Sequence, residues 1–192
     1  YGTVLIMSPW NYPFMLTIEP MVDAIAAGNT VVLKPSAYSP HTSSVIKRLI
    51  ESVFPEEYVA VVEGGRAENA DLLEQPFDYI FFTGGTTVGR LVLEKAAKHF
   101  TPVTLEMGGK SPCIVDETAD LSLAAKRIVF GKFLNSGQTC VAPDYVLVHK
   151  KVRKELIRKL RFWTEKFWGK EPLAHPDYPR MINEKHYRRV LG

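Results

Sequence analysis

Residues 1–36 read YGTVLIMSPWNYPFMLTIEPMVDAIAAGNTVVLKPS, and they set a pattern that the chain repeats. A short apolar run over residues 1–8 is rich in β-formers and ends at a loop with two prolines, which is typical of a buried strand. Phe14 to Ala27 then carries apolar residues close to a 3.6-residue period, and Gly28 suits the end of a helix. A second apolar run, Thr30 to Leu33, closes at Lys34. This stretch therefore predicts strand, helix and strand.

The same alternation continues as far as Gly109. The predicted strands are Tyr58–Val62, Tyr79–Phe82 and Val103–Leu105, and the predicted helices are Ser39 or His41 to Phe54, Asn69–Glu74 and Thr87–His99. Five short, non-alternating strands separated by helices predict a doubly wound parallel α/β sheet of Rossmann-like type. Asn11, Lys34, Gly84 and Glu106 each come just after a strand. Since such sheets bind ligands at the carboxyl ends of their strands, these residues predict a site at that edge.

The organisation changes after Gly109, which we take as a domain boundary. The predicted elements are a strand over Ser111–Val115, a helix over Asp120–Phe133 with Asp120 as N-cap, a strand over Tyr145–His149 and a helix over Lys151–Trp168. The last helix carries an apolar stripe, which we interpret as facing a core: Leu156, Leu160, Trp163 and Phe167.

Composition excludes several classes of protein. No apolar run reaches 18 residues, so no membrane segment is expected in this chain. Residues 1–110 carry 8 Lys/Arg and 12 Asp/Glu, and residues 111–192 carry 16 and 9. We interpret that basic half as a solvated face, so no nucleic acid partner is expected. The two cysteines, Cys113 and Cys140, lack the spacing of a zinc site or disulfide framework, so no metal is expected, and a reducing, cytoplasmic compartment is favoured.

Each candidate residue allows a structural and a functional interpretation. Cys140, in the stretch FLNSGQTCVAP over residues 133–143, is an inert small hydrophobe or a nucleophile. Asn11 is a turn former or an oxyanion donor. Lys34 is an ordinary exposed lysine or a contact to ribose or phosphate. Glu106 is a capping or salt-bridged glutamate, or the activator of a water molecule. Cys113, within a strand, is interpreted as core filler.

The turn from Thr83 to Gly89 joins a strand to a helix. Its glycines let the backbone approach a phosphate at a helix N-terminus, but it matches neither the GxGxxG fingerprint nor a P-loop. A tight turn without a ligand is the alternative.

Five motifs in one order resemble the aldehyde dehydrogenase superfamily, and two longer runs resemble its class 3 branch. The motifs are PWNYP at 9–13, KPS at 34–36, FTGG at 82–85 with Gly89, LEMGGK at 105–110 and NSGQTC at 135–140; the runs are residues 101–113 and 131–145. The resemblance implies a cofactor-binding domain over residues 1–109, lacking an N-terminal segment, and the nucleophile half of an α/β catalytic domain over residues 110–192. It covers essentially the whole chain.

The resemblance also implies a reaction, the NAD(P)-dependent oxidation of an aldehyde to a carboxylic acid. Cys140 attacks the aldehyde to give a thiohemiacetal, whose oxyanion is held by the Asn11 amide and the Cys140 N–H. Hydride transfer leaves a thioester, and Glu106 activates the water that hydrolyses it. The cofactor contacts implied are Trp10, Lys34, Ser36, Gly84, Gly85, Thr86, Thr87, Val88 and Gly89.

Two departures concern the cofactor. NAD is the favoured cofactor. Relatives often carry a ribose-binding Glu where this chain has Ala37, and its loss removes a repulsion against a 2′-phosphate, so NADP stays open. Relatives also often carry Ser at Gly85, which would remove one phosphate hydrogen bond. The family's chains are longer, so we expect a fragment of a homodimeric enzyme that takes a small-molecule aldehyde. A CoA-acylating enzyme and a truncated, non-catalytic nucleotide-binding or interaction module are the alternatives.

Overall fold

The computed structural model describes all 192 residues, and these form two compact units, Tyr1–Met107 and Gly108–Gly192. The first unit is a five-stranded sheet with helices between its strands. The second unit is a pair of strands with longer helices. None of the helices combines the length and the apolar composition needed to cross a bilayer.

The sheet of the first unit is parallel throughout, with strand order β3-β2-β1-β4-β5. Its strands are β1 (Thr3–Met7), β2 (Thr30–Lys34), β3 (Val59–Val61), β4 (Tyr79–Gly84) and β5 (Val103–Met107). Its helices are α1 (Met15–Ala26), α2 (Pro40–Val53), α3 (Arg66–Leu72) and α4 (Thr86–Ala96), followed by a 3₁₀ turn over Ala97–His99. This architecture confirms the predicted doubly wound α/β fold.

Strand β1 lies at the centre of the sheet and is buried on both faces. Val4 and Ile6 belong to one apolar cluster, and Leu5 and Met7 belong to a second. Successive side chains of a strand point to opposite faces, so this assignment follows from the pleat. A strand buried on both faces must be apolar at every position, which explains the uninterrupted run VLIM.

The second unit pairs β6 (Ser111–Val115) with β7 (Pro143–Val148) in parallel. Its helices are α5 (Leu121–Phe133), α6 (Arg153–Trp168) and α7 (Glu184–Leu191), with 3₁₀ turns over Leu134–Gly137 and Pro172–Ala174. Val115, Ala125 and Leu156 form its buried cluster. Leu160 and Trp163 pack against that cluster, so the predicted stripe of α6 faces a core from Leu156 to Trp163.

Asp120 caps α5 as predicted, since its carboxylate accepts hydrogen bonds from the N–H groups of Ser122 and Leu123. Cys113 is half-buried and packs against the cluster of the second unit, in keeping with its interpretation as core filler.

Several predicted boundaries are wrong, including the start of β7, which lies two residues before the predicted Tyr145, and that of α6, which lies two residues after the predicted Lys151. Strands β4 and β5 each run two residues further than predicted, because Glu106 pairs with Thr83 and Met107 with Gly84 in the parallel register. Glu106 therefore lies within a strand rather than after one. Helix α3 begins at Arg66, three residues before its predicted start. The assignment of a cofactor-binding and a catalytic role to the two parts of the chain stays a prediction.

Candidate active site

The predicted site residues of the first unit meet at one edge of its sheet. Trp10 and Asn11 follow β1, Lys34 ends β2, Gly84 ends β4, and Glu106 is the last residue but one of β5. All five strands are parallel, so their carboxyl ends share that edge. The chain leaves β1 toward β2 on one side, while β4 lies on the other, and ligands bind at such a switch point.

Buried hydroxyl groups hold the loop that follows β1. Ser8 Oγ lies 2.5 Å from Thr17 Oγ1, and Thr17 also donates to the carbonyl of Pro13 at 2.6 Å. Ser8 is 8% exposed and Thr17 is fully buried. These bonds tie the end of the strand to the first turn of α1, and so close the loop that carries the half-buried Trp10 and Asn11.

Lys34 is buried, with only 3% of its surface exposed. Its Nζ donates to the carbonyl of Gly64 at 2.7 Å and to that of Pro35 at 3.0 Å. Burial lowers the pKa of Lys34, and the nearby carboxylates of Glu68 and Glu63 partly offset that effect. The interpretation of Lys34 as an ordinary exposed lysine is therefore wrong.

The turn into α4 leaves a helix N-terminus uncapped by any side chain. Gly85 is its N-cap residue, and no atom lies within 4 Å of where a Cβ would stand there. Gly89 lies one turn further on, where a Cβ would stand 3.0 Å from Met107 Sδ, so the helix packs closely on β5. The residues from Gly85 to Val88 are exposed.

These donors suit the phosphates of a dinucleotide. Free N–H groups and the helix dipole at an N-terminus favour an anion, and a Cβ-free backbone lets the anion come close. Lys34 adds a cation on the same edge of the sheet. No group of three or more His, Cys, Asp or Glu side chains is placed to hold a metal ion.

Ser36 takes part in the turn between β2 and α2. Its Oγ accepts from the N–H of Tyr38 at 3.2 Å, and its carbonyl accepts from Ser43 Oγ at 2.9 Å. Ala37 is exposed beside it. The structure thus gives Ser36 a local role, and its cofactor contact stays a prediction.

Glu106 is exposed and caps no helix. It forms no ion pair with a neighbouring side chain. The alternative of a capping or salt-bridged glutamate is therefore wrong, while its activation of water stays a prediction.

Cys140 belongs to the second unit, where it follows a strained loop. Asn135 and Ser136 have left-handed φ angles of 52° and 53°, and Gly137 follows at 75°. Non-glycine residues rarely adopt this conformation, and it persists only where neighbouring structure holds it. The Cys140 thiol is free and half-buried.

Side-chain hydrogen bonds hold that loop. The Gln138 amide donates to the carbonyl of Asn135 at 2.9 Å and accepts from the N–H of Ile182 at 3.0 Å. Ser136 Oγ donates to the carbonyl of Pro179. The segment from 179 to 182 thus fixes the loop that leads to Cys140.

Sequence reasoning missed three residues that support the site: Ser136, Gln138 and Glu68. Glu68 carried a local signal, since a glutamate at the third position of a helix often bonds back to the N-cap N–H, as it does here to Gly65 at 2.6 Å. The partners of Ser136 and Gln138 lie more than 40 residues away, and no local pattern indicates them.

Comparison with known proteins gives one family. A sequence model of the aldehyde dehydrogenase family matches residues 1–192. A 4,4'-diaponeurosporen-aldehyde dehydrogenase of Staphylococcus aureus is 54% identical over the whole chain, which covers 42% of that relative. A mouse aldehyde dehydrogenase described as dimeric and NADP-preferring is 50% identical, also over the whole chain and 42% of the relative.

Solved structures agree in fold. A substrate-bound S. aureus aldehyde dehydrogenase superposes with a TM-score of 0.91 at 53% identity, over 98% of this chain and 41% of the other. A Mycobacterium tuberculosis enzyme complexed with NAD⁺ gives 0.86 at 33% identity, over 98% and 40%. The chain thus spans about two fifths of the length of these relatives.

Proposed function

This chain belongs to the aldehyde dehydrogenase family, and we propose that the protein containing it oxidises an aldehyde to a carboxylic acid with NAD or NADP. The observation that carries the proposal is the family match over all 192 residues, in a chain that keeps Cys140, Glu106 and Asn11. The collection of polar residues at the carboxyl edge of the sheet supports it.

The cofactor is assigned to that edge. Lys34, with Trp10 and Ser36, would hold the adenosine part, and the turn Gly84–Gly89 would hold the pyrophosphate at the N-terminus of α4. Glu63 and Glu68 lie close enough to Lys34 to influence its pKa. Their negative charge disfavours a further phosphate there, which supports NAD over NADP although Ala37 removes one acidic side chain.

The chemistry is assigned to Cys140. Its thiol gives up a proton to solvent, the resulting thiolate bonds to the aldehyde carbon, and the Asn11 amide and the Cys140 N–H stabilise the oxyanion of the thiohemiacetal. When bound, the nicotinamide supplies the acceptor for the hydride that the substrate carbon gives up, which leaves a thioester on Cys140. Glu106 takes a proton from water, the hydroxyl adds to the thioester, and cleavage of the C–S bond releases the acid.

Replacing the nucleophile tests this assignment. We expect Cys140→Ala in the full-length protein to lower NAD(P)H formation by about a thousandfold or more, since the covalent step needs the sulfur. The measurement is the absorbance of reduced nicotinamide with a panel of aldehydes, and NAD and NADP in parallel. Cys113→Ala, the other half-buried thiol, is the matched control and should keep its rate. Unchanged turnover in Cys140→Ala would contradict the proposal.

A second candidate concerns the 192-residue chain alone, which we propose binds nucleotide without catalysis. The observation that favours nucleotide binding is the carboxyl edge of the first unit's sheet, which holds the buried Lys34 and the N-terminus of α4 that no side chain caps. Nucleotide binding by calorimetry without NADH formation would support this role, whereas turnover equal to that of the full-length protein would exclude it. A CoA-acylating activity is less favoured, because Glu106 is available to promote hydrolysis. A cytoplasmic location and a homodimer stay predictions.

A further inference from the structure

One peptide group between β3 and α3 is held from both sides by charged side chains. Lys34 Nζ donates to the carbonyl of Gly64 at 2.7 Å, and a carboxylate oxygen of Glu68 accepts from the N–H of Gly65 at 2.6 Å. Carbonyl and N–H of one peptide share delocalised electrons. A cation on the oxygen and an anion on the N–H therefore polarise the group in the same sense, and each strengthens the other's hydrogen bond.

The backbone at Gly64 is shaped around the Glu68 carboxyl group. Gly64 has a φ of +128°, and an added Cβ would stand 2.4 Å from Glu68 Cδ. Only glycine allows both this conformation and this close approach. The half-buried Glu68 thus packs directly against the residue whose carbonyl binds Lys34.

Glu68 is held in its charged form by the same contacts. Hydrogen bonds from its own N–H and from that of Gly65 lower the pKa of Glu68, and the charge of Lys34 adds to this effect. Neither partner of Lys34 is itself charged, since both are carbonyl oxygens. Glu68 is therefore a negative charge linked to the buried ammonium through the peptide group that both side chains contact.

We propose that Glu68 is a positioning residue for Lys34. It orients the Gly64–Gly65 peptide so that the Gly64 carbonyl fixes the Lys34 ammonium at the carboxyl edge of the sheet, where the cofactor's adenosine part binds. The inference rests on the proposed function for the cofactor contact of Lys34. A purely structural role, the capping of α3, is the competing explanation.

Cofactor kinetics separate the two roles. In the full-length enzyme we expect Glu68→Ala to raise the KM for NAD about 3- to 10-fold, the effect of weakening one charge-assisted hydrogen bond, with kcat changed less than about twofold. Glu68→Gln keeps an acceptor for the Gly65 N–H but loses the charge, and should show a smaller rise. In a Lys34→Ala background, Glu68→Ala should not raise the KM for NAD any further, because Glu68 acts through Lys34.

Asp120→Ala is the matched control. This substitution also removes a helix-capping carboxylate, at the start of α5, but no lysine side chain hydrogen-bonds to the backbone groups that Asp120 caps. It should lower thermal stability to a similar degree and leave the KM for NAD unchanged. The proposal would be overturned if Glu68→Ala raised the KM for NAD no more than Asp120→Ala does, or if its effect on that KM were additive with that of Lys34→Ala.

Lysine acylation provides a readout without cofactor. Acetic anhydride should modify the buried Lys34 slowly in the wild type and several-fold faster in Glu68→Ala and Glu68→Gln, as measured by peptide mass spectrometry. An unchanged Lys34 rate in both variants overturns the positioning role. A different result tests the proposed function on which the inference rests. If Lys34 is acylated faster in the Glu68 variants but Lys34→Ala leaves the KM for NAD unchanged, the assignment of Lys34 to the cofactor is overturned.

Discussion

Glu106 and Lys34 lie at the carboxyl ends of two strands of one sheet, β5 and β2, which β4 and β1 separate, and their side chains have different surroundings. Glu106 is exposed at the edge, on β5, whereas Lys34 is buried on β2 and donates hydrogen bonds to two backbone carbonyls. A carboxylate in contact with water suits a residue that must activate a water molecule. A buried ammonium with a fixed position suits a binding contact.

The role of Glu106 can be tested by removing its basicity. We expect Glu106→Gln to keep the initial burst of NAD(P)H and to slow steady turnover about 10²- to 10⁴-fold, because only hydrolysis of the thioester needs the base. Stopped-flow absorbance measures both phases. Glu94→Gln, an exposed glutamate of α4, is the control and should behave as wild type. Loss of the burst itself would assign Glu106 to an earlier step.

At the level of single residues, sequence identified the chemical types but not their surroundings. The residues adjoining Lys34 in sequence, Leu33 and Pro35, give no indication that its ammonium meets the Gly64 carbonyl. That contact spans 30 positions and exists only because β2 and β3 are adjacent in the sheet. For this reason the interpretation of Lys34 as an exposed lysine is wrong.

Helices α3 and α4 are linked by a small charge cluster. Glu74, just after α3, forms ion pairs with Lys95 of α4 and with Lys98 of the 3₁₀ turn. Hydrogen bonds from these two lysines lower the pKa of Glu74 from 4.5 to about 2. A carboxyl group with a depressed folded-state pKa stabilises the fold above its unfolded pKa, and that stabilisation is lost as pH falls through the folded value.

The acid unfolding of the chain should reveal this cluster. We expect Glu74→Gln to be less stable than wild type above about pH 4.5, and the difference to vanish as pH falls toward about 2. Thermal unfolding followed by circular dichroism at several pH values measures it. Glu51→Gln removes a looser exposed pair, 3.8 Å from Lys47, and should show little difference. A gap between Glu74→Gln and wild type that persists at pH 2 would contradict this origin.

At the level of elements, the sequence predicted every strand and helix of the first unit. Where several of them end was decided by the elements that pack or pair with them. Asp120 starts α5 as predicted, because capping is a contact over three residues. By contrast, β5 extends to Met107 because its last residues pair with Thr83 and Gly84 of β4. The sequence of residues 103–107 alone does not predict that pairing register.

The whole first unit depends on β1, whose alternate side chains enter two separate clusters. We expect Leu5→Ala and Ile6→Ala each to lower the free energy of unfolding by about 2–5 kcal/mol, since both side chains are almost fully buried in packed cores. Urea unfolding measures it. Val53→Ala, at a residue 62% exposed, is the control and should cost less than about 0.5 kcal/mol. A large loss at only one of the two core positions would contradict a strand buried on both faces.

Sequence by itself determined the order and kind of the elements, the parallel α/β fold and the family, because apolar periodicity, caps and ordered motifs are properties of short stretches. The tertiary structure alone decided the strand order β3-β2-β1-β4-β5, the burial of Lys34 and the support of the Cys140 loop by residues 179–182. Those features depend on contacts between residues that are distant in sequence. Such contacts stabilise the protein only once the sheet and its loops have packed.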